Sequence, residues 1–478
     1  YKIKDFLDIS NKFISDSLYK YSKQSDLLNQ EFKYCPDLFI LDKEDFDSIR
    51  KGSPNIKKNL SNSAKINLYK QQNKWVEICN LYEPLDKITD NNEIWDNAND
   101  LYDVAYACSK LGEPKNGMEK DRNHLTTVKR YRDLSLKLFK RCYEIEPSNY
   151  RFPSAVAYRY YQNVLELSKP KGRRDGKIAD EISNAILWFD EALKINPNSI
   201  KDNYRKGYII LDKKIDNFKF TPKDVWTSDI FTEINDMEQT AISCFDKVIA
   251  LYENLNSESD RKYYRNEYVK TLYQLGKYNI SKPQDVWNEY ACCKIQGIDY
   301  KYRASQEDIT YYNKGKELFE KCFYVESEYS LEGEIDFSKL ARETTDWKIS
   351  PIEKLYRLGL ANLYLYFHKI ALDNNKDDLM MYSEKAARYL KAAIAINDIQ
   401  KRANIGGKNT WYISEKLSRY YILAGDYNKA IQLTERSREG YIMNTYAIAL
   451  ILSDLPDKLN KAENILIKAA NDKYNKAS

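Results

Sequence analysis

The chain has 478 residues, with 15 glycines, 12 prolines and 41 tyrosines, and its formal net charge is +5. Glycine and proline occur at roughly half their usual frequencies, which counts against an all-β or doubly wound α/β fold, because such folds need many tight turns. The 76 basic residues nearly balance the 71 acidic ones, so charge alone does not predict nucleic-acid binding, and 43% apolar residues exclude global disorder.

No stretch of the sequence predicts a transmembrane helix. The longest apolar run, residues 446–452, is far shorter than the roughly 20 residues that a helix needs to span a bilayer. The eight cysteines include no C-x-x-C pair, and in a chain of this length they do not indicate a disulfide framework. We therefore expect reduced cysteines that act as small apolar residues, and a cytoplasmic location.

Residues 1–58 do not share the pattern that organises the rest of the chain. They predict a helix over residues 1–30, a loop at Cys35-Pro36-Asp37 and a short helix near residues 43–51. We expect this segment to be either an N-terminal helical cap or the remnant of a preceding domain. Residues 59–478 are expected to form the main domain.

One spacing recurs six times: a small residue, a large residue four positions later, and a mostly small residue three positions after that. Two of the six segments continue to a proline five positions further on, where a helix is expected to end. The segments are Ser135-Phe139-Cys142-Pro147, Ala185-Phe189-Ala192-Pro197, Ala241-Phe245-Val248, Gly315-Phe319-Cys322, Ala386-Leu390-Ala393 and Ala462-Leu466-Ala469. Residues at these intervals lie on one helical face, where small residues allow a neighbouring helix to approach and the large residue fills the groove.

A second helical pattern alternates with the first and has a central small residue of its own. These central residues are Ala105, Ala157, Gly207, Gly276 and Gly359. Leu275-Gly276, with Tyr278, also resembles a helix end and turn. The stretch Ala424-Gly425-Asp426-Tyr427, which leads to Ala430, is typical of a helix–turn–helix junction.

Alternating helices with these spacings resemble the tetratricopeptide repeat (TPR), whose unit of about 34 residues reads W-x2-L-G-x2-Y, then A-x3-F, then P. Residues 185–210 are close to this pattern, with Asn203, Lys206 and Ile210 where the family has Trp, Leu and Tyr; residues 423–431 are the other strong match. The resemblance covers residues 60–475 and implies an all-α, right-handed α-solenoid of about seven or eight helix pairs. The length in excess of the family's unit is expected in loops or short extra helices at residues 112–134, 167–178, 212–236, 276–308 and 369–380.

The resemblance also implies a concave face lined by the first helix of each pair. Tyrosines recur at the expected outward positions, which lie three residues before the central small residue and one, four or five after it. They are Tyr102, Tyr106, Tyr158, Tyr161, Tyr204, Tyr208, Tyr273, Tyr356 and Tyr364. Because tyrosine combines a large contact area with few rotors and a polar tip, these positions predict a peptide-binding groove. The alternative is that the same tyrosines only pack between helices.

Two further binding modes are less favoured. Some TPR domains clamp a C-terminal carboxylate, but here the nearby polar residues Arg151, Lys201, Asn266 and Lys270 stand beside tyrosines. A basic loop over residues 169–177 offers contacts to an acidic partner or to phosphate, although such loops are more often only solvated. Its basic residues are Lys169, Lys171, Arg173, Arg174 and Lys177. Nucleic acid is therefore a disfavoured partner.

The sequence carries no recognisable motif for catalysis or for a cofactor. His124 and His368 are the only histidines, and neither stands in a readable acid–nucleophile arrangement. Residues 405–410 share a Gly-Gly-Lys stretch with the end of a phosphate-binding loop, but lack its first glycine and its Ser or Thr directly after the lysine. No spacing predicts a metal site. We expect no cofactor, no metal and no enzymatic activity.

These observations predict a non-catalytic scaffold or adaptor that binds a peptide or protein partner on the concave face. The alternative is a sensing or regulatory subunit of a larger enzyme or effector assembly, whose catalytic part lies in another domain or subunit. The unmatched residues 1–58 motivate that alternative. The sequence predicts neither the identity of the partner nor an oligomeric state.

Overall fold

The computed structural model describes residues 61–82, 93–113, 122–168, 176–215, 228–283, 285–298, 300, 305–326, 331, 336–343, 349–372, 376–404 and 409–471. Over these ranges the chain is helical and contains no strand, so the predicted all-α class is confirmed. The predicted N-terminal segment, residues 1–58, lies outside the described residues. Among the helices that the structure describes, none is both long and apolar enough to cross a bilayer.

The chain divides into two compact units between Pro197 and Asn198. The described helices of the first unit are α1 (Asn62–Gln71), α2 (Trp75–Asn80), α3 (Ala98–Leu111), α4 (Arg122–Ile145), α5 (Arg151–Leu167) and α6 (Gly176–Ile195), with a 3-10 turn at Glu93–Asp96 before α3. Within this unit α1 packs on α2, α3 on α4, and α5 on α6.

The second unit begins with α7 (Ile200–Tyr208), which continues directly into a π-helical turn at Ile209–Lys214. Its remaining described helices are α8 (Ser228–Glu253), α9 (Glu258–Ser281), α10 (Trp287–Ile295), α11 (Gln306–Glu326), α12 (Phe337–Glu343), α13 (Pro351–Leu372), α14 (Lys376–Arg402), α15 (Trp411–Leu423), α16 (Tyr427–Thr434), α17 (Gly440–Leu452) and α18 (Lys458–Asn471). The helices again form pairs: α7 with α8, α9 with α11, α13 with α14, α15 with α16, and α17 with α18. The first helices of successive pairs also contact one another, from α7 through α9, α13 and α15 to α17.

The repeated small–large–small spacing explains how the two helices of a pair fit together. Its residues are buried in five of the six segments. In three segments of the second unit the large residue meets a glycine of the first helix, as Phe245 does at Gly207 and Leu390 at Gly359. The sixth segment differs, because the side chain of Leu466 on α18 is 38% exposed.

Helices extend further into the expected connections than the sequence predicted. Helix α4 already begins at Arg122 and α8 at Ser228, inside stretches expected to be loops or short extra helices. Loops or short extra helices were expected there because these stretches exceed the length of the family's unit, but charged and polar residues also suit the exposed side of a long helix. Helix α9 likewise continues to Ser281, past the helix end that was predicted at Gly276. The connection at residues 276–308 does contain a short extra helix, α10.

Helix ends in both units follow local rules of capping. The side chains of Ser61, Asn97, Ser199, Ser257 and Asp426 each accept a hydrogen bond from the backbone N–H three residues further on. At the predicted junction between α15 and α16, Gly425 has a φ of +79°, and the N–H of Asp426 donates to the carbonyl of Tyr421. This arrangement closes α15 and needs the left-handed conformation that glycine adopts without strain.

Candidate functional site

Two of the predicted groove tyrosines lie on α3. Tyr102 packs against Phe139, with ring centroids 5.3 Å apart, and the Arg151 guanidinium lies 4.7 Å from the centroid of its ring. Tyr106 is 37% exposed and makes an edge contact with Trp75. Tyr106 therefore keeps surface for a ligand, whereas Tyr102 mainly joins helices together.

The two predicted groove tyrosines of α5, Tyr158 and Tyr161, divide in the same way. Tyr158 is 36% exposed, and its ring stacks on that of Tyr161 with a centroid separation of 6.2 Å. Tyr161 is buried and meets Phe189 of α6 edge-on. One ring of the pair faces solvent while the other fills the interface of α5 and α6.

In the second unit, Tyr204 and Tyr208 of α7 stack on each other with centroids 6.1 Å apart. Tyr204 is buried against Phe245, and the ammonium of Lys270 lies 5.7 Å from the centroid of its ring. Tyr208 is half-buried beneath Lys213. Cations over tyrosine faces, as here, are attracted by the negative face of the ring.

The last three predicted tyrosines belong to α9 and α13. Tyr273 is buried, and its hydroxyl donates a 2.6 Å hydrogen bond to Glu353. Tyr356 is also buried and packs edge-on against Tyr412, whereas Tyr364 is half-buried. Burial raises the pKa of all three phenols above the ordinary tyrosine value. Tyr356 and Tyr364 both reach an open cavity.

This cavity has a volume of about 630 Å³ and lies entirely within the second unit. Its lining comes from the π-helical turn after α7 and from helices α8, α9, α13 and α15. The lining residues are Leu211, Asp212, Ile215, Glu238, Gln274, Lys277, Tyr278, Ile280, Ser281, Lys282, Tyr356, Arg357, Leu360, Tyr364 and Lys416. The π-helical turn supplies Leu211 and Asp212, and such turns within helices are frequent at functional sites.

More than half of the lining residues stand at positions that the repeat pattern marks as outward-facing, but the prediction considered only the tyrosines among them. Six further lining residues stand at the same offsets from Gly207, Gly276 and Gly359 as the predicted tyrosines. They are Leu211, Asp212, Lys277, Ile280, Ser281 and Leu360. Applying the offsets without regard to residue type would have found them.

The polar lining contains four cations and two carboxylates. Lys282 forms an ion pair with Glu238, and Lys277 lies 3.6 Å from Asp212. Burial raises the pKa of Asp212, but the positive charges of Lys277 and Lys213 together outweigh that effect. The pKa therefore lies below its usual value, and this carboxyl is ionised. The positive excess therefore comes from Arg357 and Lys416, whose counterions lie outside the lining.

Lys416 is a lining cation whose pKa lies below the ordinary lysine value. Its ammonium lies 3.0 Å from Glu415. Burial lowers the pKa of Lys416, and the neighbouring positive charge of Arg419 lowers it further, against the opposing effect of Glu415. An anionic group in the cavity would favour the charged form of Lys416.

Glu415 is the centre of a polar network on α15. Its side chain is fully buried and accepts hydrogen bonds from Arg419 Nε at 2.6 Å and from Thr445 Oγ1 at 2.8 Å. Burial raises the pKa of Glu415, but Lys416 and Arg419 outweigh that effect, and the pKa lies below its usual value. The network thus holds a carboxylate between two cations at one end of the cavity.

The other predicted contacts take no part in the cavity. Lys201 donates to the hydroxyl of Tyr263 at 2.6 Å, and none of the four residues weighed for a carboxylate clamp belongs to the cavity lining. Of the basic loop, Lys169, Lys171, Arg173 and Arg174 lie outside the described residues, as does the side chain of Lys177 at the start of α6.

His368 and the residue types that bind metals were also considered in the sequence. His368 is fully buried beside the ring of Tyr312, and burial lowers the pKa of its imidazole. Within the ranges that the structure describes, no group of three or more His, Cys, Asp or Glu side chains is placed to hold a metal ion.

Comparison with known proteins adds no family to these observations. No protein-family model matches the chain, and no curated protein matches it. The TPR resemblance therefore stays a prediction from residue spacing, and the proposal of a function depends on the geometry of the cavity.

Proposed function

We propose that the chain is a non-catalytic binding protein, a TPR-like right-handed α-solenoid that holds a segment of a peptide or protein partner in the cavity of its second unit. The observation that carries the proposal is the origin of the lining. The first helices of four successive pairs, α7, α9, α13 and α15, all supply residues to one cavity, either directly or through the π-helical turn. Stacked helix pairs present such a continuous face of first helices.

The size and chemistry of the cavity support a peptide ligand. A volume of about 630 Å³ lies within the range of ligand sites in proteins. The lining mixes aromatic rings, amide and hydroxyl groups and charges of both signs, which suits a ligand with backbone polar groups and short side chains. Two carboxylates in the lining, Asp212 and Glu238, disfavour a nucleic-acid backbone.

We also propose, as part of the same function, that the protein is located in the cytoplasm, which is a reducing compartment. The seven described cysteines are all free, and five of them are buried. The sulfur atoms of Cys79 and Cys108 lie 3.7 Å apart, within hydrogen-bond distance, and form no disulfide bond. Free buried thiols of this kind are typical of proteins kept in a reducing compartment.

The experiment that tests the proposal fills the cavity without changing its charges. Ser281 is exposed on α9 and lines the cavity, so Ser281→Trp places an indole where the ligand is expected. Ser259 is also exposed on α9 but does not belong to the lining, and Ser259→Trp is the matched control. Proteins captured from the source cell by the native chain and by both variants are identified by mass spectrometry, and the affinity of each is then measured with purified protein.

We expect a partner that binds the native chain and the Ser259→Trp variant equally, and the Ser281→Trp variant at least about tenfold more weakly. The loss of a contact that contributes about 1.4 kcal/mol already weakens affinity by that factor. Helical circular dichroism should be the same for all three proteins. Equal affinity of every captured partner for the two variants would remove the cavity from the proposal.

A further inference from the structure

The chain places a segment of its own next to the cavity. This inserted segment, residues 285–295, consists of Asp285, Val286 and helix α10, and it stands outside the pairing of the other helices of the second unit. It contacts α13 and α15 chiefly through Asp285 and Trp287, and α17 through Asn288. The ring of Tyr290 also meets Phe367 of α13 edge-on at 5.4 Å. These contacts resemble those of a bound peptide more than those of a repeat.

The acidic contact is made by Asp285. Arg419 Nη1 lies 3.1 Å from Asp285 Oδ1 and 2.9 Å from Oδ2, and the hydroxyl of Tyr364 lies 3.5 Å from Oδ2. The positive charges of Arg419 and Lys416 lower the pKa of Asp285 despite the opposing effect of burial. Charge-assisted hydrogen bonds of this kind are stronger than neutral ones.

The aromatic contact is made by Trp287, which is 2% exposed. The Arg419 guanidinium lies 5.0 Å from the centroid of its indole, and the ring of Phe367 meets it edge-on at 5.7 Å. Asn444 of α17 donates to the side chain of Asn288 at 3.3 Å. One arginine thus binds both the carboxylate and the indole of the inserted segment.

The residues that receive the segment stand at positions where a ligand is expected. Tyr364 follows Gly359 by five residues and is one of the predicted groove tyrosines. Leu363 follows Gly359 by four residues and belongs to the same apolar cluster as Trp287. Arg419 directly follows Ser418, a fully buried small residue whose hydroxyl donates to the carbonyl of Ala430 on α16. The segment therefore covers groove positions of α13 and α15.

We propose that the inserted segment is an internal ligand of this groove, and that a partner segment with a carboxylate two residues before a large aromatic side chain takes its place. The proposal rests on the proposed function, because it identifies what the groove recognises. Tyr364 connects the two sites: it lines the cavity, and its hydroxyl donates to Asp285. Ser281 and Lys282, just before the segment, also line the cavity, so a partner bound there meets the segment.

The charges around Arg419 permit this exchange. When Asp285 leaves, Arg419 keeps its 2.6 Å contact with Glu415, which also pairs with Lys416, and the carboxylate of the partner then replaces that of Asp285. The Asp285 side chain is already 44% exposed and regains water at little cost. Trp287 is the largest buried side chain of the segment, so its burial contributes most to retaining the segment, and an incoming partner must supply an equivalent ring.

The test uses the full chain and a fluorescent peptide with the sequence of residues 281–297, in which both cysteines are replaced by serine. An occupied site lowers the apparent affinity of a competing ligand by the fraction of chains whose site is open. Trp287→Ala removes the indole that retains the segment and should open the site. Glu289→Ala, at an exposed position of α10, is the matched control.

We expect the Trp287→Ala variant to bind the peptide at least about tenfold more tightly than the native chain, since truncating a buried aromatic residue costs more than that factor. The Glu289→Ala variant should bind like the native chain. A peptide with Asn and Ala in place of the Asp and Trp should bind none of the three proteins.

Equal peptide affinity for a fully helical Trp287→Ala variant and the native chain would overturn the proposal. If that variant loses helical circular dichroism, Asp285→Asn, which keeps the indole, decides instead: it should bind the peptide more tightly than the native chain, and unchanged affinity overturns the proposal. The peptide assay needs no cellular partner. The peptide assay tests the internal ligand, and the Ser281→Trp comparison tests the proposed function. Either can fail while the other succeeds, so the failures of the two proposals are distinguishable.

Discussion

Phe319 of α11 lies so close to the backbone of Gly276 on α9 that a Cβ atom added to the glycine would stand 2.7 Å from Cε1 of the ring. Both helices belong to one pair, and the ring is fully buried. The contact is therefore possible only when the first helix has no side chain at this point. This close contact is the physical reason for the small–large spacing that the sequence repeats.

We expect Gly276→Ala to destabilise the second unit. At an exposed helical position the same change would stabilise by about 1 kcal/mol, because alanine restricts the unfolded chain and glycine does not. Here the new methyl group must displace a buried ring, and overpacking of this kind costs about 1–3 kcal/mol. Urea unfolding followed by circular dichroism measures the difference, and Lys262→Ala, at an exposed position of α9, is the control. A stabilised Gly276→Ala variant would show that the two helices separate freely.

The helix pairs were predictable from the sequence because each pair repeats one local requirement. A small residue must face a large one, as Gly207 faces Phe245 and Gly359 faces Leu390, and this requirement fixes the residue spacing along each helix. Helix boundaries were less predictable, since charged residues stand equally well in loops and on exposed helical faces. Lys129, which is exposed on α4, is an example.

The candidate site was predictable only in part, because it is assembled from distant segments. Tyr356 and Tyr364 follow from the repeat, whereas Lys416 stands on a helix whose central small residue, Ser418, was not recognised in the sequence. The contact between Asp285 and Arg419 joins residues 134 positions apart, and the first of them lies in an insertion that no repeat pattern describes. Pair contacts of this kind leave no periodic signal.

A second prediction concerns the buried ion pair of Lys354 on α13 and Glu326 at the end of α11. The Lys354 side chain is fully buried, and that of Glu326 is 5% exposed. Lys354→Met removes the ammonium beside a buried carboxylate, and breaking such a pair costs about 3–5 kcal/mol. Urea unfolding should show a loss of that size. The double variant Lys354→Met/Glu326→Leu should recover most of it, because apolar side chains can replace a buried pair.

The control for this prediction is the exposed pair of Lys321 and Glu253, whose side chains are 49% and 45% exposed. Lys321→Met should change the free energy of unfolding by no more than about 1 kcal/mol, since exposed pairs contribute little. Equal losses for Lys354→Met and Lys321→Met would show that burial does not set the contribution of the pair.

A third prediction concerns the reactivity of the cysteines. Burial raises the pKa of Cys142 and of Cys322 to about 12, and the thiolate is the form that reacts with iodoacetamide. At pH 8 we therefore expect Cys292, which is exposed, to be alkylated before the other cysteines that the structure describes, and Cys142 and Cys322 only when the chain unfolds. Mass spectrometry of the digested protein measures each site. Alkylation of Cys322 in the folded chain at the rate of Cys292 would contradict its burial.

A fourth prediction follows from Tyr356, which lines the cavity, and from Tyr412, which packs against Tyr356. Burial raises the pKa of Tyr356, and it raises that of Tyr412 to about 12, where the hydrogen bond to Glu353 acts in the same direction. The folded chain then keeps protons that the unfolded chain releases above about pH 10, the ordinary tyrosine pKa. Because the unfolded state binds fewer protons there, stability is fully present below that pH and falls as the pH rises.

Each such phenol adds up to about 1.4 kcal/mol per pH unit to the loss of stability between its unfolded and folded pKa values. We expect the free energy of unfolding to decrease steeply from about pH 10 upward. The Tyr356→Phe variant should show a smaller decrease, because it lacks the contribution of one phenol to the slope. Urea unfolding at a series of pH values measures the slope, and phenolate absorbance shows whether the late-ionising tyrosines titrate together with the loss of helix. An unchanged slope in the Tyr356→Phe variant, or full phenolate absorbance while the helices persist, would mean that solvent reaches these rings in the folded chain.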